Sequence, residues 1–177
     1  METELPKRKS IRLTEYDYSQ NGAYFITLCT QGRKNLFSSI TETDCETPQN
    51  TLTSYGEAAK LIIEALPDRF HISIPKYIIM PNHIHLLVEI TDSDGERAIR
   101  ESPLRRPRST IDKMVGFLKM NVSKKIGDTY TGKVWQRSYH DHIIRKESDY
   151  LKIWEYIDNN PTKWEEDCFY ESPNVQL

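Results

Sequence analysis

Apolar positions recur along the chain with two different periods. Residues 23–30, Ala-Tyr-Phe-Ile-Thr-Leu-Cys-Thr, are aromatic and β-branched and follow the turn pair Asn21-Gly22. They predict a central strand. Residues 38–50 are polar and acidic, which predicts a surface loop or an irregular hairpin. Between positions 55 and 69, Ala58, Leu61, Ile62, Ala65 and Leu66 form a helical stripe, with Pro67 near its end. Two strand-like runs follow, 71–80 and 82–90, antiparallel to each other if Pro81-Asn82 is a bend. Pro75 in the first of them calls for a bulge or kink. Residues 91–108 are Asp, Ser, Gly, Arg and Pro in character and have no period, which predicts a mobile loop.

Ile111, Met114, Val115, Leu118, Val122 and Ile126 then repeat every three to four residues. That spacing predicts an amphipathic helix over 110–126, capped by Ser109 or Thr110 and ended by Gly127. Residues 134–136 and 139–145 supply the last strand region. Ser148 is the expected cap of a final helix running to about Asn160, with Leu151, Ile153, Trp154 and Ile157 as its apolar face and Pro161 as its stop. The aromatic and acidic tail from Trp164 is expected to pack on the surface. The order strand, helix, strand, strand, helix, strand, helix is a split β-α-β arrangement. The expected fold is therefore α+β, ferredoxin-like or RRM-like, a mostly antiparallel sheet with helices on one face.

A length of 177 residues predicts a single domain over 1–177, and 37% hydrophobic with 28% charged residues is an ordinary globular composition. No apolar run approaches ~18 residues, so no membrane span is expected. The first nine residues lack the apolar core of a signal peptide, which predicts a cytoplasmic location. Cys29, Cys45 and Cys168 are odd in number and widely spaced, with no Cys-x-x-Cys. They read as reduced thiols, neither a disulfide framework nor a zinc ribbon.

Net charge is only −2, but it is segregated. From 97 to 125 stand Arg97, Arg100, Arg105, Arg106, Arg108, Lys113, Lys119, Lys124 and Lys125 against Glu101 and Asp112, a local excess of seven positive charges. Acidic residues gather in 42–46 and 165–171. This distribution suits a polyanion-binding face, or a solvated charged loop.

Two features carry candidate chemistry. His83-Ile84-His85 lies in a strand run, where residues two apart share a face. Both imidazoles then project to one side, where they can share a metal ion or stand as ordinary half-exposed strand histidines. On the final helix Tyr156 and Asn160 are four apart and share a face. Beside a metal-held phosphate the tyrosine can act as a nucleophile and the Asn160 amide oxygen as a further ligand. Alternatively Tyr156 is a rim residue and Asn160 a C-cap before Pro161.

Taken together the motifs resemble a known family. Met80-Pro81-Asn82-His83-Ile84-His85-Leu86-Leu87, Val134-Trp135-Gln136-Arg137, Tyr139-His140-Asp141-His142, and Tyr156-Ile157 with Asn160-Pro161 are similar, in this order, to the single-tyrosine HUH transposases, closest to the REP-associated tyrosine transposases. Ser10-Ile11-Arg12-Leu13 and Gly22-Ala23-Tyr24-Phe25-Ile26-Thr27 fit that branch, so the resemblance covers most of 10–161. It implies a DNA strand-transfer enzyme acting on single-stranded, hairpin-forming DNA. His83 and His85 would hold a divalent ion, Mg2+ or Mn2+, with Asn160 the third ligand. Tyr156 would be the nucleophile that forms a 5′-phosphotyrosine. Asp141 and His142 would orient a metal-bound histidine or be structural, and Gln136 with Trp135 would pack or position DNA. The basic residues of 97–125 would track phosphates. Tyr139 and Tyr150 compete for the nucleophile role, but Tyr150 falls on the opposite side of the helix from Tyr156.

Two other readings stay open. One is a non-catalytic hairpin DNA- or RNA-binding module, although no Gly-Phe-Gly-Phe run of the RNA-recognition type is present. The other is a zinc-type phosphodiesterase built on His-x-His, which needs a further His, Asp or Glu ligand and no Tyr156. Monomer and homodimer both remain open, with the short link at 145–148 favouring a site completed within one chain.

Overall fold

The computed structural model describes residues 21–41, 48–91 and 109–170. Its main sheet places β1 (Gly22–Cys29) between β5 (His83–Ile90) and β6 (His140–Ile144), with β4 (Ser73–Ile79) on the outer side of β5. Each of these neighbouring pairs is antiparallel. The expected α+β, split β-α-β sheet is thus the fold. The register shift between Ser73 and Lys76 falls across Pro75, where a missing N–H interrupts the ladder.

Alternation divides the sheet into two faces. Tyr24, Ile26 and Leu28 of β1 and Ile84, Leu86, Val88 and Ile90 of β5 point into one large core. That core is closed by α1 (Ser54–Glu64) and α3 (Thr110–Ile126). All six apolar positions predicted for α3 are buried in it. Ser109 caps α3, its hydroxyl accepting from Asp112 N at 3.1 Å. The helix layer expected on one face is this one. α4 (Glu147–Asn159) lies on the opposite face, where Ile157 packs with Leu87 and Ile144 and against Phe25 and Ile78.

Three local expectations need correction. The predicted helix over 55–69 is two helices, because Pro67 occupies the first turn of a separate α2 (Leu66–Phe70), where its missing N–H costs nothing. Ser148 does not cap α4; Lys146 is the N-cap residue and makes no side-chain cap, so Ser148 sits inside the first turn. Leu151 is exposed rather than part of the apolar face of α4.

The acidic stretch at 38–50 includes a hairpin of β2 (Ser38–Thr41) and β3 (Gln49–Leu52). The hairpin and its lead-in dock on the bend between β4 and β5. Leu36 N and Phe37 N donate to Pro81 O at 2.8 and 3.0 Å, and Asn50 Nδ2 donates to Ile79 O at 2.9 Å. From the other side Thr30 N and Oγ1 donate to Asn82 O at 2.9 and 3.0 Å. The bend that starts the histidine strand is therefore pinned on two sides.

Candidate active site

His83 and His85 project from β5 toward α4 and are buried, at 0% and 1% exposure. The register sets His85 opposite Thr27 and His83 opposite Cys29. Thr27 Oγ1 and His85 Nδ1 share a hydrogen bond of 2.8 Å. His83 Nδ1 lies 2.9 Å from Asn82 Oδ1, while Asn82 Nδ2 donates to Phe169 O at 2.8 Å. The amide oxygen can only accept, so His83 carries its proton on Nδ1 and presents Nε2 as a lone pair. The two rings meet edge to face with centroids 4.4 Å apart.

α4 brings the remaining groups. Tyr156 Oη lies 3.4 Å from His85 Nε2 and donates to Asp167 Oδ2 at 2.9 Å. Asn160, 2% exposed at the C-cap of α4, donates from Nδ2 to the same carboxylate oxygen at 3.0 Å. Asn160 Oδ1 and His83 Nε2 are buried and make no hydrogen bond of ordinary geometry. A ligand atom from each of His83, His85 and Asp167 lies within 4.8 Å of the others. Orphaned lone pairs beside a carboxylate form a donor set that fits a divalent cation.

The electrostatics follow from burial. His83 is lowered to about 4, mainly by burial, with Asp167 and then Asn160 opposing the shift. His85 is lowered well below its ordinary value by burial and then by His83. Both imidazoles are therefore neutral at neutral pH. Burial first, and then the hydrogen bond to Asp167, push the Tyr156 phenol up. Tyr156 is 40% exposed and borders an open cleft of about 350 Å³, lined also by Lys152, Asn160, Lys163 and Asp167.

Of the residues singled out in the sequence, His83, His85, Tyr156 and Asn160 come together. Asp141 and His142 do not join them. Asp141 pairs with Ile26, which faces the opposite core, and His142 lies exposed, 3.7 Å from Asp149. The histidines' hydrogen-bond partners are instead Thr27 and Asn82. Gln136 is held by its backbone, its N donating to Cys29 O and its O accepting from Lys119 Nζ. Trp135 is buried against Phe37, with Nε1 donating to Lys119 O. The competing tyrosines are engaged elsewhere: Tyr139 donates to Asp112 at 3.1 Å, and Tyr150 to Glu89 at 2.9 Å.

The tail does not simply cover surface. Phe169 lies 4.8 Å and Trp164 5.9 Å from His83, ring to ring, and Asp167 enters the site between Tyr156 and Asn160. Acidic clustering at 165–171 was the only sequence signal, and it did not distinguish Asp167 from its neighbours.

Lys113, Lys124 and Lys125 are exposed on α3. Lys119 is turned inward, donating to Gln136 O at 2.9 Å and Ser138 O at 2.7 Å. Lys133 and Arg137 join it in lining an open groove of about 510 Å³ with Tyr130. Arg97, Arg100, Arg105, Arg106, Arg108 and Cys45 lie outside the described residues. Cys29 and Cys168 are free thiols. No helix among the described residues is long and apolar enough to cross a membrane.

No protein-family model matches the chain. A Haemophilus influenzae protein of uncharacterised function is 36% identical over 174 residues, covering 92% of this chain and 93% of its own. A second protein of that organism, provisionally named a REP-associated tyrosine transposase, is 24% identical over 147 residues, covering 83% of this chain and 74% of its own. A solved structure of a REP-associated tyrosine transposase bound to a REP hairpin has the same fold, with a TM-score of 0.59 at 18% identity over 86% of this chain and 73% of that one.

Proposed function

We propose that the chain is a REP-associated tyrosine transposase, in keeping with the relative and the fold it is similar to, and that it cuts and rejoins single-stranded, hairpin-forming DNA through a 5′-phosphotyrosine on Tyr156. The observation that carries this reading is the 3.4 Å approach of Tyr156 Oη to His85 Nε2, from a helix that also buries Asn160 in the site. The same hydroxyl meets the Asp167 carboxylate, so the phenol stands at the mouth of the buried histidine cluster and on the border of the open cleft.

His83, His85 and Asn160 would hold Mg2+ or Mn2+. When bound, the ion would supply positive charge that polarises the scissile phosphate and lowers the cost of forming the phenolate. Tyr156 Oη then attacks phosphorus, the bond to the 3′ oxygen breaks, and a free 3′-hydroxyl leaves. The phosphotyrosine keeps the energy of the cut bond, so a second DNA end can be joined without ATP. Thr27 and Asn82 hold the imidazoles with Nε2 toward the reaction. Lys152 and Lys163 in the cleft beside Tyr156 offer positive charge to the incoming strand. Tyr156 reaches His85 within one chain, which supports a site completed in cis, in a monomer or in each half of a homodimer.

Asp167 also favours a second reading. With His83 and His85 it makes a donor set like that of metal-dependent phosphodiesterases, in which water rather than Tyr156 attacks. One experiment separates the readings: incubation with single-stranded hairpin DNA from the chain's own genomic flanks and Mn2+, read as a denaturant-resistant protein–DNA adduct. An adduct lost in Tyr156→Phe and in His83→Ala is expected. Cleavage without an adduct supports the phosphodiesterase, and tight hairpin binding without cleavage supports a binding module.

A further inference from the structure

The sequence pointed to two imidazoles and an amide as the ion's ligands, a set with no charge. Such a set binds a hard divalent ion weakly. The structure supplies a carboxylate at the same place. Asp167 Oδ1 accepts from Phe169 N at 2.7 Å, and Oδ2 accepts from both Tyr156 Oη and Asn160 Nδ2. An ionised carboxylate has about four acceptor positions, so one is left for a cation.

We infer that Asp167 is the charged ligand of the ion site, completing it with His83 and His85, and that ion and nucleophile share this carboxylate. The inference rests on the reading of His83 and His85 as metal ligands. Three observations support it. The candidate ligand atoms already lie within 4.8 Å of one another. His83 Nε2, on a ring with 0% exposure, is left without an ordinary hydrogen bond. Asp167 is also held in place before any ion arrives. Arg33 Nη1 donates to Cys168 O at 3.1 Å, and its guanidinium sits 5.7 Å over the Phe169 ring. Asn82 links the two halves directly: its oxygen orients His83 and its nitrogen holds Phe169 O. A carboxylate oxygen also tilts the donor set toward Mg2+ and Mn2+ and away from late transition metals.

Sharing has a consequence. Oδ2 holds the Tyr156 hydroxyl in the metal-free chain, so ion binding and the Tyr156 hydrogen bond draw on the same group. Removing the hydroxyl leaves the carboxylate freer for the ion.

The test is Mn2+ binding to the full chain without DNA, followed by the electron paramagnetic resonance signal of free Mn2+ and by calorimetry. Thermal unfolding of each metal-free variant checks that it is folded. Asp167→Asn, which keeps shape and removes charge, is expected to weaken Mn2+ by roughly tenfold or more. Asp167→Glu should retain most of the affinity, and Tyr156→Phe should bind a few-fold tighter. Asp167→Asn binding as tightly as the parent chain, while His83→Ala loses the ion, would leave Asp167 a mere positioner of Tyr156 and overturn the inference. Weaker binding in Tyr156→Phe would overturn the sharing. A parent chain that binds no Mn2+ would overturn both. No DNA is present, so a protein that binds Mn2+ as expected yet forms no adduct would count against the strand-transfer reading alone.

Discussion

At the scale of single residues, the site depends on keeping two imidazoles neutral where water does not reach. In the unfolded chain each takes up a proton near its ordinary value of 6.5, whereas burial lowers His83 to about 4 and His85 well below 6.5. Between those values the unfolded state binds more protons, so the folded state loses stability as pH falls from about 6.5 toward 4. Thermal unfolding of the metal-free chain should shift down between pH 7 and pH 5, and a His83→Gln, His85→Gln double variant should lose much of that slope. An unchanged slope would mean that other groups set it. Asn82→Ala removes both the acceptor for His83 and the tether to Phe169. It should cost about 1–3 kcal/mol of stability and weaken Mn2+ roughly 10- to 100-fold. The periods of strand and helix made His83, His85, Tyr156 and Asn160 legible, because each pair is related by a fixed spacing on a regular element. Asp167 and Thr27 were not legible: the first lies on irregular backbone past the last helix, and the second enters through strand pairing, which a single sequence does not print.

At the scale of elements, the histidine strand is positioned through the hairpin and the α1 cap. Thr53 caps α1 by accepting from Gly56 N at 3.2 Å and donates to Leu36 O at 2.6 Å. Gly56 then passes so close to Phe37 O that a Cβ would collide with backbone. Gly56→Ala should therefore destabilise the chain by about 1–3 kcal/mol, although alanine is the better helix former. Urea unfolding checks this, and a neutral or stabilising result would mean that the hairpin moves aside freely. On the other face Ile157 is the one fully inward residue of α4. Ile157→Ala should cost about 2–5 kcal/mol and lower adduct formation with it, because the same helix carries Tyr156. Helix existence was legible from apolar spacing here, while the ends were not. Pro67 reads equally well as a stop and as a first-turn residue. Ser148 is a good cap in isolation, but the chain enters α4 two residues earlier, at Lys146.

At the scale of the whole molecule, the distribution of charge matters more than the sum of −2. The basic excess counted along the sequence mixes residues with different tasks. Lys119 is spent within the fold, bonding two carbonyls of the segment that carries Trp135 and Gln136. Lys133 and Arg137 were not counted for DNA at all, yet they line the groove at the end of α3, near exposed Lys124 and Lys125. A stranded polyanion lying in that groove releases counterions in proportion to the phosphates neutralised, at about 0.7 units of salt slope per contact for a single strand. Lys133→Glu with Arg137→Glu should therefore weaken hairpin binding and flatten its dependence on salt by roughly one to two units, with thermal stability almost unchanged. Lys119→Met should do the opposite, lowering stability while leaving the salt slope nearly intact. If instead the groove pair leaves the slope unchanged, the strand runs elsewhere, drawn by charges such as Lys152 and Lys163 of the cleft beside Tyr156 or by the arginines outside the described residues.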